Sequence, residues 1–159
     1  MVDGNFLRWL VLSGFILLTD QLTKFAVAGS FTANKVVEVT PFLNLVLVYN
    51  PGAAFSFLSD ASGWQRGFFI ALGLAASVWI VYLLRRYPQQ PLFCWALSLV
   101  LAGALGNVID RILFGAVIDF LDFHAFGWHW PAFNVADTAI TCGAALLIWD
   151  GLRPREQKH

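Results

Sequence analysis

At 159 residues, 58% hydrophobic and only 13% charged, with a mean hydropathy of +0.68, the chain carries more apolar surface than a water-soluble core absorbs, which makes it an integral membrane protein. Ten basic residues balance ten acidic ones, leaving no basic excess or stripe for a nucleic-acid partner. The length allows roughly four spans of about 20 residues each plus one sizeable connection, a membrane all-α bundle in a single domain over residues 1–159.

The first span covers residues 7–27. Arg8 before an apolar run and Ala26-Val27-Ala28 near its end resemble a cleavable signal peptide. Asp20 and Lys24 interrupt that run, however, and it is long enough to cross a bilayer, so it reads as a retained helix. Asp20 and Lys24 are four residues apart, share a helical face and can pair. Residues 31–60 form the one long non-spanning segment, in which residues 36–39 and 43–49 are β-branched and Leu-rich runs split by Thr40-Pro41. These read as short strands of a small sheet at the membrane surface, between the first two helices. Asn50-Pro51-Gly52 signals a turn, with Asn50 able to cap its own backbone.

The second span, residues 67–84, has no charge before Arg85-Arg86 and reads as structural; the third covers 92–109 and the fourth 132–149. Cys94 and Cys142 fall in these apolar segments and read as small buried hydrophobes rather than a disulfide. Arg8, Arg85, Arg86, Arg153, Arg155 and Lys158 on one side outweigh Lys24, Lys35, Arg66 and Arg111 on the other, which places both termini inside. Tyr49, Trp64, Trp128 and Trp130 then form an outer aromatic belt.

That topology gathers polar residues at one depth near the outer ends of the spans. Asn107, Asp110 and Arg111 share one helical face, and Asn134, Asp137, Thr138 and Thr141 share another. Gly103 and Gly106 let the third span approach a neighbour closely where its polar groups begin. Asp110 beside Arg111 reads as a helix-end ion pair, and Asp122 as an ordinary loop acid. Asp119 lies in a loop between apolar Ile118 and Phe120, and Asp137 lies roughly 8 Å into the fourth span, with no basic residue within four positions. Carboxylates in such places are costly and mark function.

Three chemistries compete for these residues. An aspartyl hydrolase needs two close carboxylates sharing a proton, for which Asp119 and Asp137 are the candidates. A transporter or proton relay also uses intramembrane acids, but it needs polar steps through both leaflets, and the inner halves of the spans offer little beyond Ser13, Ser77, Ser98 and Cys94. A metal hydrolase would use Asp119, Asp122, His124 and His129, whose spacing matches no metal motif. A Ser-His nucleophile lacks the Gly-x-Ser-x-Gly elbow.

Five segments in order, Asp20-Gln21-Leu22-Thr23-Lys24, Asn50-Pro51-Gly52-Ala53-Ala54-Phe55-Ser56, Gly106-Asn107-Val108-Ile109-Asp110-Arg111, Val117-Ile118-Asp119-Phe120 and Phe133-Asn134-Val135-Ala136-Asp137, make the chain closely resemble bacterial signal peptidase II, the lipoprotein signal peptidase of the inner membrane. The resemblance implies an aspartic endopeptidase with Asp119 and Asp137 as the catalytic dyad, shaped by Asp20, Lys24, Asn50, Gly52, Asn107, Asp110, Arg111, Asn134 and Ala136, and needing no cofactor. It implies a substrate that is a prolipoprotein carrying a diacylglyceryl cysteine, cut on the amino side of that cysteine. It further implies membrane lipids as surroundings and globomycin-type antibiotics as ligands.

Overall fold

The computed structural model describes residues 4–32, 35–52 and 63–153. Within them the chain runs α1 (Gly4–Ser30), β1 (Val37–Thr40), β2 (Leu43–Asn50), α2 (Trp64–Arg86), α3 (Pro91–Phe114), β3 (Val117–Ala125), β4 (Trp128–His129) and α4 (Val135–Leu152). Ala53, Ala54, Phe55 and Ser56 of the second motif, and Arg155 and Lys158 of the basic C-terminus, lie outside the described residues.

All four helices are long and apolar enough to cross a bilayer. Their polar ends extend them beyond the apolar runs. α3 carries Asn107, Asp110 and Arg111 in its last turns and stops where Gly115, at φ 78°, takes the left-handed conformation and donates its N–H to the Arg111 carbonyl at 3.2 Å. α4 starts three residues later than its apolar pattern predicts, because Asn134 is its N-cap: an extended residue whose side-chain oxygen accepts the Asp137 N–H at 2.9 Å. Asp137 therefore stands in the first turn of α4 rather than deeper in the span.

The bundle is organised around α3, of which 56% of the most apolar stretch is buried against 17–22% in the other three helices. Small residues at the contacts allow this. A Cβ on Gly103 would collide with the Ala136 carbonyl oxygen of α4 and one on Gly73 of α2 with the Val108 side chain, while one on Gly143 would lie 2.7 Å from the Ala96 carbonyl oxygen. The lipid-facing sides of α1, α2 and α4 expose Phe15, Val78, Trp79 and Ile148. At the end holding the α2–α3 connection, Trp9, Ile80, Leu84, Cys94, Leu97 and Leu101 form a buried cluster, and the Trp9 indole donates to the Pro88 carbonyl at 3.0 Å. Both cysteines are free; Cys94 is buried as expected, whereas Cys142 is exposed on α4.

The sheet is antiparallel in the order β1-β2-β3-β4 and draws half its strands from the α3–α4 connection, which the sequence presents as a loop. β3 pairs with β2 so that Val48 faces Asp119 and Asn50 faces Val117. Two features hid this hairpin. Val117 to Phe120 is buried at every position, so the alternation of a half-exposed strand is missing. The two-residue turn has positive φ at both Phe126 (53°) and Gly127 (80°), geometry usually announced by Asn or Asp before Gly rather than by Phe.

Candidate active site

The deepest layer of the site is ionic. Lys24 Nζ lies 2.9 Å from Asp20 Oδ2 and 2.8 Å from Asp110 Oδ2, with all three side chains buried. The expected Asp20–Lys24 pair is present, but Asp110 pairs with Lys24 and not with Arg111. Adjacent residues diverge by about 100° on a helix, so Asp110 turns inward. Its carboxylate also accepts from Gln21 Nε2 at 3.0 Å and from the Ile118 backbone N–H at 3.1 Å. Asp20 Oδ1 accepts the Ala136 N–H at 2.8 Å, satisfying one of the amides that the start of α4 leaves without an intrahelical partner. Space for this comes from Gly106, where a Cβ would lie 2.5 Å from Asp20 Oδ2.

Asn107 connects this layer to the next. Its Oδ1 accepts from Lys24 Nζ at 3.2 Å; since an ammonium only donates, the amide NH2 must point the other way, and it donates to Asp137 Oδ1 at 2.8 Å. Asn134 is oriented by the same logic. Its Oδ1 caps α4 by accepting the Asp137 N–H, which turns Nδ2 toward Asp119 Oδ1 at 2.7 Å and the Ile118 carbonyl at 3.2 Å. Asn50 donates to Asp119 Oδ2 at 3.1 Å while its Oδ1 accepts the Gly52 N–H at 3.0 Å, so one side chain both caps its turn and holds a carboxylate.

Asp119 and Asp137 thus hang from the amides of Asn50, Asn134 and Asn107, and among the described residues neither makes an ion pair. Asp119 is 2% exposed. Burial first, and the neighbouring Asp137 carboxylate second, push its pKa up to about 7 against the opposing pull of Asn50, Asn134 and Lys24. Both acids line a cleft of about 530 Å³ whose polar wall includes Asn50, Gly52, Asn107 and Arg111, with Ile140, Thr141 and Cys142 of α4 and the Trp130 to Phe133 segment completing it. Arg111 crosses to the β2–α2 turn, donating to the Gly52 carbonyl at 2.6 Å and to the Asn107 carbonyl at 3.2 Å, with its guanidinium 4.9 Å from the centre of the Phe69 ring.

All the expected site residues are therefore brought together, either on the cleft or directly behind it. Two contributors were missed, Gln21 and Arg66, together with one partner away from the cleft, Asn44. Gln21 reaches Asp20, Asp110 and the Gly106 carbonyl; its only signal was its place beside Asp20. Arg66 donates to the Arg111 and Ile112 carbonyls at 2.9 and 3.2 Å and so caps α3, a contact across 45 residues with no local signature. Asn44 donates to Asp122 at 3.0 Å.

Asp122 is no loose loop acid: it is buried on β3 between Asn44 and the His129 imidazole, whose Nδ1 lies 2.9 Å away. Burial raises its pKa, but those hydrogen bonds and the charges of His129 and His124 outweigh it and hold the carboxyl below its ordinary value. Residues three apart on a strand face opposite sides, so Asp122, His129 and the stacked His124 ring gather away from Asp119.

Membrane-length helices carrying a cleft with two carboxylates at its wall define a membrane-embedded aspartic peptidase. The chain belongs to the signal peptidase II family, whose model, described as signal peptidase (SPase) II, matches residues 12–153. It is 60% identical over 150 residues to the lipoprotein signal peptidase of Paraburkholderia phymatum, covering 94% of this chain and 90% of that one. It is 56% identical over 151 residues to that of Janthinobacterium sp. (strain Marseille), covering 95% and 92%. A solved bacterial membrane enzyme, determined by the in meso method, superposes with a TM-score of 0.84 at 35% identity, covering 96% of this chain and 92% of that one. The chain is thus a multi-pass bacterial inner-membrane peptidase, and the transporter reading finds no support.

Proposed function

We propose that Asp119 and Asp137 are the catalytic dyad of an endopeptidase that cuts diacylglyceryl-modified prolipoproteins on the amino side of the lipidated cysteine. The observation that carries this reading is the contrast in partners: two carboxylates on one cleft are held by amides alone, while the nearby Asp20 and Asp110 share the Lys24 ammonium as an ion-pair partner. Asp20, Asp110, Asp119 and Asp137 against Lys24 and Arg111 leave an excess of negative charge that one shared proton reduces. The ionised member takes a proton from water as its oxygen bonds to the scissile carbonyl carbon. The protonated member hydrogen-bonds the carbonyl oxygen, which carries the developing charge. Collapse breaks the C–N bond, the amine of the lipidated cysteine leaves with a proton, and the signal peptide departs as a carboxylic acid.

With both termini cytoplasmic, the cleft opens near the periplasmic face, where a lipid-anchored cysteine would present its bond while the signal helix stays in the bilayer. The whole chain acts as one peptidase unit, and globomycin-type inhibitors compete for the same cleft. Purified lipid-modified prolipoprotein should be cleaved by the wild-type protein and left intact by a folded Asp137→Asn protein. Near-normal cleavage by that variant refutes the assignment. Reporter fusions at Tyr87 and at the C-terminus should be cytoplasmic, and a C-terminus found outside removes the proposed orientation.

A further inference from the structure

Around the central helix α3, the outer helices leave a second opening that shares no lining residue with the catalytic cleft. Leu10, Gly14 and Leu17 of α1 face Leu74, Val78 and Val81 of α2 across a groove of about 490 Å³, floored by Leu101 and Leu105 of α3. The two polar residues on its walls are spent: Ser13 donates to the Trp9 carbonyl at 3.0 Å and Ser77 to the Gly73 carbonyl at 2.7 Å, each within its own helix. A groove without a free donor takes hydrocarbon, and its length from Leu10 to Leu17 is roughly 10 Å. Gly14 widens it, since a Cβ there meets nothing within 4 Å.

Charge at one mouth selects among hydrocarbon ligands. The α2 wall residues 74, 78 and 81 define a helical stripe that continues, four residues on, to Arg85 in the last turn of α2. Arg85 is exposed and makes no ion pair among the described residues, whereas its neighbour Arg86 points elsewhere on the helix and stacks on Tyr87, its guanidinium 5.4 Å from the ring centre. We propose that this groove binds one acyl chain of an anionic phospholipid, with the lipid phosphate held at Arg85.

The test is thermal unfolding of delipidated protein in neutral detergent, titrated with phosphatidylglycerol or with phosphatidylcholine of the same chain length. Phosphatidylglycerol should stabilise the wild type at lower concentration. Arg85→Gln should weaken that response about fivefold and leave the phosphatidylcholine response unchanged, whereas Arg86→Gln should change neither. Gly14→Phe fills the groove and should lose the response to both lipids; Val78→Trp fills it from the opposite wall should Gly14→Phe fail to fold. The proposal is overturned by an unchanged Arg85→Gln protein, by equal losses in Arg85→Gln and Arg86→Gln, or by a groove-filled protein that still responds. A groove-filled protein that loses a dimer instead of a lipid response also refutes it, because a second copy would then be the occupant.

Discussion

Two pairs of aspartates stand within one site and are treated in opposite ways. Asp20 and Asp110 grip a single lysine, and their remaining lone pairs accept the Ala136 and Ile118 amides and the Gln21 side chain. That arrangement locks α1, α3, β3 and the start of α4 together and leaves nothing free to react. Asp119 and Asp137 receive only amide hydrogens, which orient a carboxylate without cancelling its charge. In a low-dielectric setting acids paired with a cation are architecture and acids held by amides alone are a proton store. On the proposed assignment the partner, and not the depth of an acid, separates the two roles.

Breaking the amide-held pair should have the largest effect. Asp119→Asn or Asp137→Asn keeps the volume and should lower turnover by at least about a thousandfold, measured per folded molecule. The double variant should be no worse than either single one, because residues acting as a unit are not additive.

Breaking the lysine-paired acids should instead strike folding. Lys24→Met leaves Asp20 and Asp110 buried without their cation and should cost about 3–5 kcal/mol, read as loss of yield and a lower Tm in detergent. Asp110→Asn should likewise reduce stability more than the rate of the molecules that remain folded. If Lys24→Met folds normally and only its turnover falls, the division of roles fails.

A third prediction concerns pH. The folded protein holds the Asp119 proton up to about pH 7, whereas the unfolded chain releases it near the ordinary carboxyl value of 3.8. The stability this contributes is therefore complete below the unfolded pKa and lost as pH rises through about 7. Wild-type Tm should fall across that window more steeply than that of Asp119→Asn. Turnover should instead fall as pH rises through about 7, where the folded dyad loses its shared proton, the alkaline limb belonging to the coupled pair and not to one residue. Equal Tm slopes in the two proteins would remove the raised Asp119.

The smallest effect is expected at the outer end of the sheet. His129→Ala releases a partly exposed partner of Asp122 and should cost about 0–1 kcal/mol, with cleavage nearly unchanged and insensitive to EDTA. Abolition by chelator with recovery on added zinc would overturn the carboxylate mechanism.

Much of this was legible in the chain. Hydropathy alone specified membrane spans, and the i, i+4 spacing alone specified the Asp20–Lys24 pair, because both depend on contacts within a single helix. The turn at Asn50 and the close approach at Gly103 and Gly106 were visible for the same reason: a local backbone requirement leaves a local residue signature. Tertiary structure decided what those signatures share. Asp110 selected Lys24 across 86 positions in place of its neighbour Arg111, because burial favours the one cation that several acids can surround. Asn134 left the apolar run to become a cap, and that placed one amide between Asp119 and the start of α4. The β3–β4 hairpin was invisible because strands buried on both faces lose their alternation and a Phe-Gly turn lacks the usual signal. Its pairing with β2 nevertheless sets Asp119 opposite Val48 and beside Asn50. Pairing register is a property of two distant segments at once, so no window on either one contains it.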